Sequence, residues 1–235
     1  MNDNIHHPKI AAAEKVTSFL NWSSFIVGVW TLTFPKPYLL AMSLILLLPI
    51  IGFIVFAYYK GAVTIEDSRD SPYPGLLLCF FLSSFCLMIR GYRDHELLDI
   101  QPVVYYCIAV AVVVFVILHR INPKRQRTFF QKISYWIGGV LVSFAFCFGS
   151  YLTINCTLDF SEPNVYETKL VGKEESGTGR STNYYISVQP WGPITQPADL
   201  NVDRDMYDQL AAGDNIRIAL KPGRLGSEWY YIVIK

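Results

Sequence analysis

The sequence predicts an α-helical membrane bundle of five transmembrane helices followed by a small, mostly β C-terminal domain. Three observations predict it. Five long stretches contain no Asp, Glu, Lys, Arg or His. Charged residues make up only 17% of the 235 residues, against about 25% in an ordinary soluble protein. From about residue 165 the apolar pattern changes to the alternation of strands. The charge balance divides in the same place. Residues 1–153 hold 12 Lys and Arg against 8 Asp and Glu, while residues 154–235 hold 8 against 11. This composition excludes a disordered chain and a nucleic-acid-binding tail.

The expected organisation is a cytoplasmic tail over 1–17, a five-helix domain over 18–155 and an extracytoplasmic β domain over 156–235. A spanning helix needs roughly 17–25 mostly apolar residues, because the hydrocarbon core is about 30 Å thick. The stretches 18–34, 37–59, 74–89, 102–118 and 134–155 come close to that length. The third is the shortest and is completed by Arg90, whose aliphatic stem can reach the interface. Pro35 and Pro37 bracket a tight connection between the first two. The first stretch reads as a retained helix rather than a cleaved signal, because no small-x-small site follows it. Aromatic residues gather at the predicted ends: Trp22, Trp30, Tyr58, Tyr59, Tyr105, Tyr106, Tyr135, Trp136 and Tyr151. An amphipathic ring is most stable at headgroup level.

Orientation rests on residues 119–132, HRINPKRQRTFFQK, with Arg120, Lys124, Arg125, Arg127 and Lys132 and no acid. Short loops rich in Lys and Arg stay cytoplasmic. Five spans then put the N-terminus and residues 60–73 inside, and residues 90–101 and the C-terminal domain outside. Nine Lys and Arg of the short segments fall inside and three outside. The basic run is also a candidate lipid-contacting loop, with Phe129 and Phe130 beside it to dip into the interface. Fixing topology alone accounts for its charges.

In the C-terminal part, strands are expected in VYETKLVG, NYYISVQ, DNIRIAL and EWYYIVIK, with one more strand and one short helix between them. Asp203 is placed to cap the helix, Met206, Tyr207 and Leu210 to form its apolar face, and Gly213 to stop it. The result is a curled sheet or partly open barrel. Trp229 is expected in a central strand covered on both faces. The 174–181 loop and the Pro190-Trp191-Gly192-Pro193 corner are expected to be exposed. The series Tyr207-x-x-Leu210-x-x-Gly213-Asp214-x-Ile216-x-Ile218, with Gly223-x-Leu225-Gly226-x-x-Trp229-Tyr230 after it, resembles the end of the β domain in uncharacterised bacterial inner-membrane proteins. That resemblance covers the last third of the chain. It implies a β domain placed after a few membrane helices and assigns chemistry to no residue.

Signals for chemistry are sparse. No ionisable residue lies within the five stretches, as a coupled transporter would usually require. GxSxG, HExxH and P-loop motifs are missing. Pro49 in the second helix reads as a tolerated kink. Gly139-x-x-x-Ser143 and Ala145-x-x-x-Gly149 suit close helix packing, within the bundle or in a homodimer through helix 5. The densest polar cluster is Arg90, Arg93, Asp94, His95, Glu96 and Asp99. These types can bind a divalent ion or move a proton, but the arrangement reads first as a solvated loop. The expectation is a non-enzymatic inner-membrane anchor with no catalytic, cofactor or metal residues. It sits in the lipid bilayer and presents its β domain to another membrane or periplasmic protein. A small channel or transporter, and a surface enzyme using residues 90–99, are the alternatives. No nucleic acid is expected as a partner.

Overall fold

The computed structural model describes residues 8–65, 73–121, 128–177 and 182–233. The chain divides into two compact units. One takes residues 1–95 and 99–159, the other residues 96–98 and 160–235.

The first unit contains helices α1 (Pro8–Thr33), α2 (Tyr38–Tyr58), α3 (Leu77–Asp94), α4 (Gln101–Ile121) and α5 (Phe129–Leu152), the last continuing into a π-helical turn (Thr153–Thr157). Length and apolarity single out three candidate spans: α2, α4, and α5 with its π-helical turn. The sequence had predicted five. Two features explain why α1 and α3 fall short. α1, which starts at Pro8 within the predicted tail, is diluted by polar residues along its length, Asn21 and, on its buried side, Thr17, Ser24 and Thr31. α3 is only 18 residues long and ends in Arg90, Arg93 and Asp94.

α3 is the hub, packing against α1, α2 and α5, while α4 packs on α5. Small residues make this closeness possible. A Cβ on Gly149 would lie 2.6 Å from the Met88 nitrogen and 2.8 Å from the Leu87 carbonyl carbon. Gly139 takes the ring of Phe115 where a Cβ would otherwise sit. Both glycines of the predicted packing pairs are thus used within the bundle. Asn21 ties α1 to the start of α3: its amide donates to the Gly75 carbonyl at 2.9 Å and accepts from the Cys79 N–H at 2.9 Å. That satisfies one of the donors every helix start leaves open. α2 runs unbroken through Pro49. α5 opens with a capping box, Thr128 accepting from the Gln131 N–H and Gln131 from the Thr128 N–H.

The second unit is a curled, antiparallel, six-stranded half-barrel. Its strands are β1 (Glu96–Leu97), β2 (Asn164–Ser176), β3 (Asn183–Val188), β4 (Ala198–Val202), β5 (Asn215–Lys221) and β6 (Trp229–Val233), in the order β1-β6-β5-β2-β3-β4. The four predicted strands and the intervening one are present. β1 was not foreseen. It is two residues long and comes from the connection between α3 and α4. The short helix α6 (Arg204–Gln209) begins where expected, the Asp203 carboxylate accepting from the Met206 N–H at 2.7 Å. It stops at Gln209, ahead of Gly213.

One face of the sheet gathers Leu170, Ile186, Val188, Leu200, Ile216, Ile218 and Leu220 under Tyr207 and Trp191. A bulge between Leu170 and Gly172 changes which residues share that face. It brings Lys173 round to α6, where its ammonium donates to the Tyr207 carbonyl and, at 2.8 Å, to the Leu210 carbonyl. Two expectations are corrected. Trp191 is 4% exposed, so the corner turns its indole inward rather than outward. Trp229 is buried, but Tyr231 and Val233 on its side of β6 are 42% and 37% exposed, so that face is not covered throughout.

Candidate functional site

The predicted polar cluster is divided by the fold. The last turn of α3 places Arg90 and Asp94 one turn apart, ion-paired at 2.9 Å. Tyr38, which opens α2, donates its hydroxyl to the same Asp94 oxygen at 2.8 Å. His95 follows α3, with Nε2 3.0 Å from the Thr157 hydroxyl oxygen and its ring edge-on to Tyr38 at 6.3 Å between centroids. The Arg90 guanidinium lies 6.0 Å from the Tyr38 ring centre, and its Nε is buried with no hydrogen-bond partner among the described residues. Burial lowers the His95 pKa from 6.5 to about 4; Asp94 opposes the shift and Arg90 adds to it. At neutral pH the imidazole is uncharged, which suits a hydrogen-bonding strut better than a cation. Arg93 is exposed. Glu96 leaves the cluster for β1, and Asp99 accepts from the Gln101 N–H at 3.0 Å at the start of α4. Tyr38 and Thr157 were missed because they lie 56 and 62 residues from their partners, beyond any local spacing signal.

No family model, curated protein or solved structure matches the chain. Asp94, His95 and Glu96 do not converge, and no group of three His, Cys, Asp or Glu suited to a metal occurs among the described residues. The cluster makes a latch joining the ends of α2 and α3 to the π-helical turn.

A second feature lies inside the bundle. A cavity of about 750 Å³ opens between α2, α3, α4 and α5. Its walls are mainly apolar, with Pro49, Phe53, Phe80, Leu118, Val142 and Phe146 among them. Polar atoms come from Ser84, Gln131, Ser134, Tyr135 and Ser143. Tyr135 is held by the His119 ring nitrogen, 3.3 Å from its hydroxyl. Of the predicted basic loop, Arg120 lies in the last turn of α4 and Lys132 in the first turn of α5, both exposed. Lys124, Arg125 and Arg127 lie outside the described residues.

The third feature is an edge of the sheet. β1 pairs only with Trp229 and Tyr230, so Tyr231–Val233 has no outer neighbour among the described residues. β4 forms the opposite edge. It is five residues long, follows Pro197 and carries Asp199 and Asn201, features that discourage pairing with another strand. β6 is equally short, but its open edge, with Tyr231, Ile232 and Val233, carries no charge and follows no proline. Of the predicted 174–181 loop, Glu174–Ser176 belong instead to the end of β2, paired with β3 though exposed, and Gly177 is exposed beyond it; residues 178–181 lie outside the described residues.

On the core side of that edge, Glu96 sits opposite Tyr230. Burial raises the Glu96 pKa, and burial followed by the Glu96 charge raises that of Tyr230 to about 12. The Trp191 ring packs 5.4 Å from Tyr230, and its indole N–H is buried with no acceptor among the described residues.

Proposed function

We propose that this chain is a membrane anchor that displays its half-barrel outside the bacterial inner membrane, where the open β6 edge takes a strand from a partner protein. The observation that carries the partner reading is the contrast between the two sheet edges. β4 has the features that keep an edge unpaired, whereas Tyr231–Val233 offers free backbone groups flanked by exposed apolar side chains. Strand addition draws its affinity from main-chain hydrogen bonds and its selectivity from alternate side chains.

All five helices span in this reading. α1 supports it by being built inside out. Its inward side holds Ala13, Thr17, Ser24, Gly28 and Thr31 with one large residue, Leu20, while Phe19, Trp22, Phe25, Ile26 and Val29 point outward. Small residues inward and large apolar ones outward suit a lipid solvent rather than water. α3 needs less apolarity than an isolated span because three helices shield it. The basic connection between α4 and α5 then lies in the cytoplasm and the half-barrel lies outside.

The test is photo-crosslinking in cells, with a benzophenone residue at Val233 or, for comparison, at Asn201 on β4. Discrete adducts from Val233, lost when Tyr231→Lys adds a charge to the edge, support the reading. Equal adducts from both edges, or none from Val233, overturn it.

A further inference from the structure

We propose that the cavity between α2, α3, α4 and α5 holds one acyl chain of an anionic phospholipid of the cytoplasmic leaflet, with Arg120 and Lys132 meeting its phosphate. The proposal needs the helices to lie in a bilayer but does not need a partner at β6, so the two readings fail separately.

Size and length fit first. The volume of about 750 Å³ falls within the ~300–1,000 Å³ of ligand cavities. Along α5 the lining runs from Phe130 to Phe146, roughly 24 Å at the helical rise. That exceeds the ~15 Å half-thickness of the hydrocarbon core, so a chain entering near Phe130 stays in contact to its end.

Charge is arranged to match. Leu118 and Gln131 line the cavity. Arg120 lies two residues beyond the first and Lys132 directly follows the second. No Asp or Glu occurs between His119 and Lys132. Both cations are exposed on the helix turns that bound this end of the cavity, the last of α4 and the first of α5, and Gln131 and Ser134 are neutral hydrogen-bonding groups in its wall.

Gly138 supplies an independent argument. It lies inside α5, where glycine costs about 1 kcal/mol relative to alanine. Gly139 and Gly149 each have a neighbour that requires the missing side chain. Gly138 has none: a Cβ there would meet nothing within 4 Å. It lines the cavity, so what its missing side chain provides is open space.

The full-length protein is purified in mild detergent and weighed by native mass spectrometry with phosphatidylglycerol or phosphatidylcholine of identical acyl chains. The wild type is expected to retain phosphatidylglycerol in preference to phosphatidylcholine. Gly138→Leu should weaken both about ten-fold by displacing methylenes from the cavity. Replacing Arg120 and Lys132 with Gln should reduce the preference by roughly five-fold per charge. Ser134→Leu, on another turn of α5, provides a second blocking variant, and melting in the same detergent shows that each variant is folded. The proposal is overturned if folded Gly138→Leu and Ser134→Leu bind phosphatidylglycerol as the wild type does. It is overturned equally if the wild type holds neither lipid, or if a two-copy mass replaces the lipid adducts.

Discussion

At the residue scale, His95 shows how burial sets charge. Its pKa falls from 6.5 in the unfolded chain to about 4 in the fold. A group whose folded pKa is lowered contributes stability that is complete above its unfolded value and is lost as pH falls through the folded one. The latch around His95 should therefore weaken progressively from pH 6.5 to about 4. Melting temperatures across that window should fall less steeply for His95→Gln than for the wild type; parallel curves would show that His95 titrates normally. Trp191 gives a second residue-level prediction. Its indole N–H has no acceptor among the described residues, so Trp191→Phe loses ring volume and no hydrogen bond. The cost should stay near 1–2 kcal/mol, against about 3–5 kcal/mol for Trp191→Ala, measured by thermal melting of the full chain. Residues of this kind were only partly legible in the sequence. Asp203 was recognised as a cap because its partner is three residues away. Tyr38, Thr157 and the inward turn of Trp191 depend on chain brought from far away or on the direction of a corner, which local pattern does not encode.

At the scale of elements, two glycines of the same helix, α5, should respond in opposite ways. Gly149→Ala forces a Cβ against the backbone of α3, which cannot yield cheaply, and should destabilise by about 1–3 kcal/mol. Gly138→Ala meets open space and should leave the melting temperature unchanged or raise it. Equal losses from both would mean that the α3–α5 contact is not as described. α6 is the most dependent element. A six-residue helix cannot stand alone, and Lys173 holds its last carbonyls. Lys173→Met should speed hydrogen exchange over residues 204–210 while leaving β2 protected. The strands were legible because alternating Val, Ile and Tyr between glycine turns leaves little choice. β1 was not, since two residues show no period. The bulge that redirects Lys173 was equally silent, because Gly172 alone marks no face.

At the scale of the whole molecule, the two units were legible from the change of period near residue 165 and the change in charge balance. The exception is residues 96–98, which belong to the second unit although they lie within the helical sequence. The number of helices that cross the bilayer fixes the side on which Lys60 lies. In the proposed orientation the basic connection after α4 lies in the cytoplasm for either number of spans. If all five span, α2 runs inward and Lys60 lies inside. If only α2, α4 and α5 span, α2 must run outward and Lys60 lies outside. Lys60 is exposed at the end of α2, so its position discriminates directly. The decisive measurement is labelling of Lys60→Cys in intact spheroplasts with a membrane-impermeant maleimide, with Asp199→Cys on the half-barrel as the outer reference. The five-helix anchor predicts that position 199 labels at once and position 60 only after permeabilisation. Prompt labelling at position 60 from outside would contradict it.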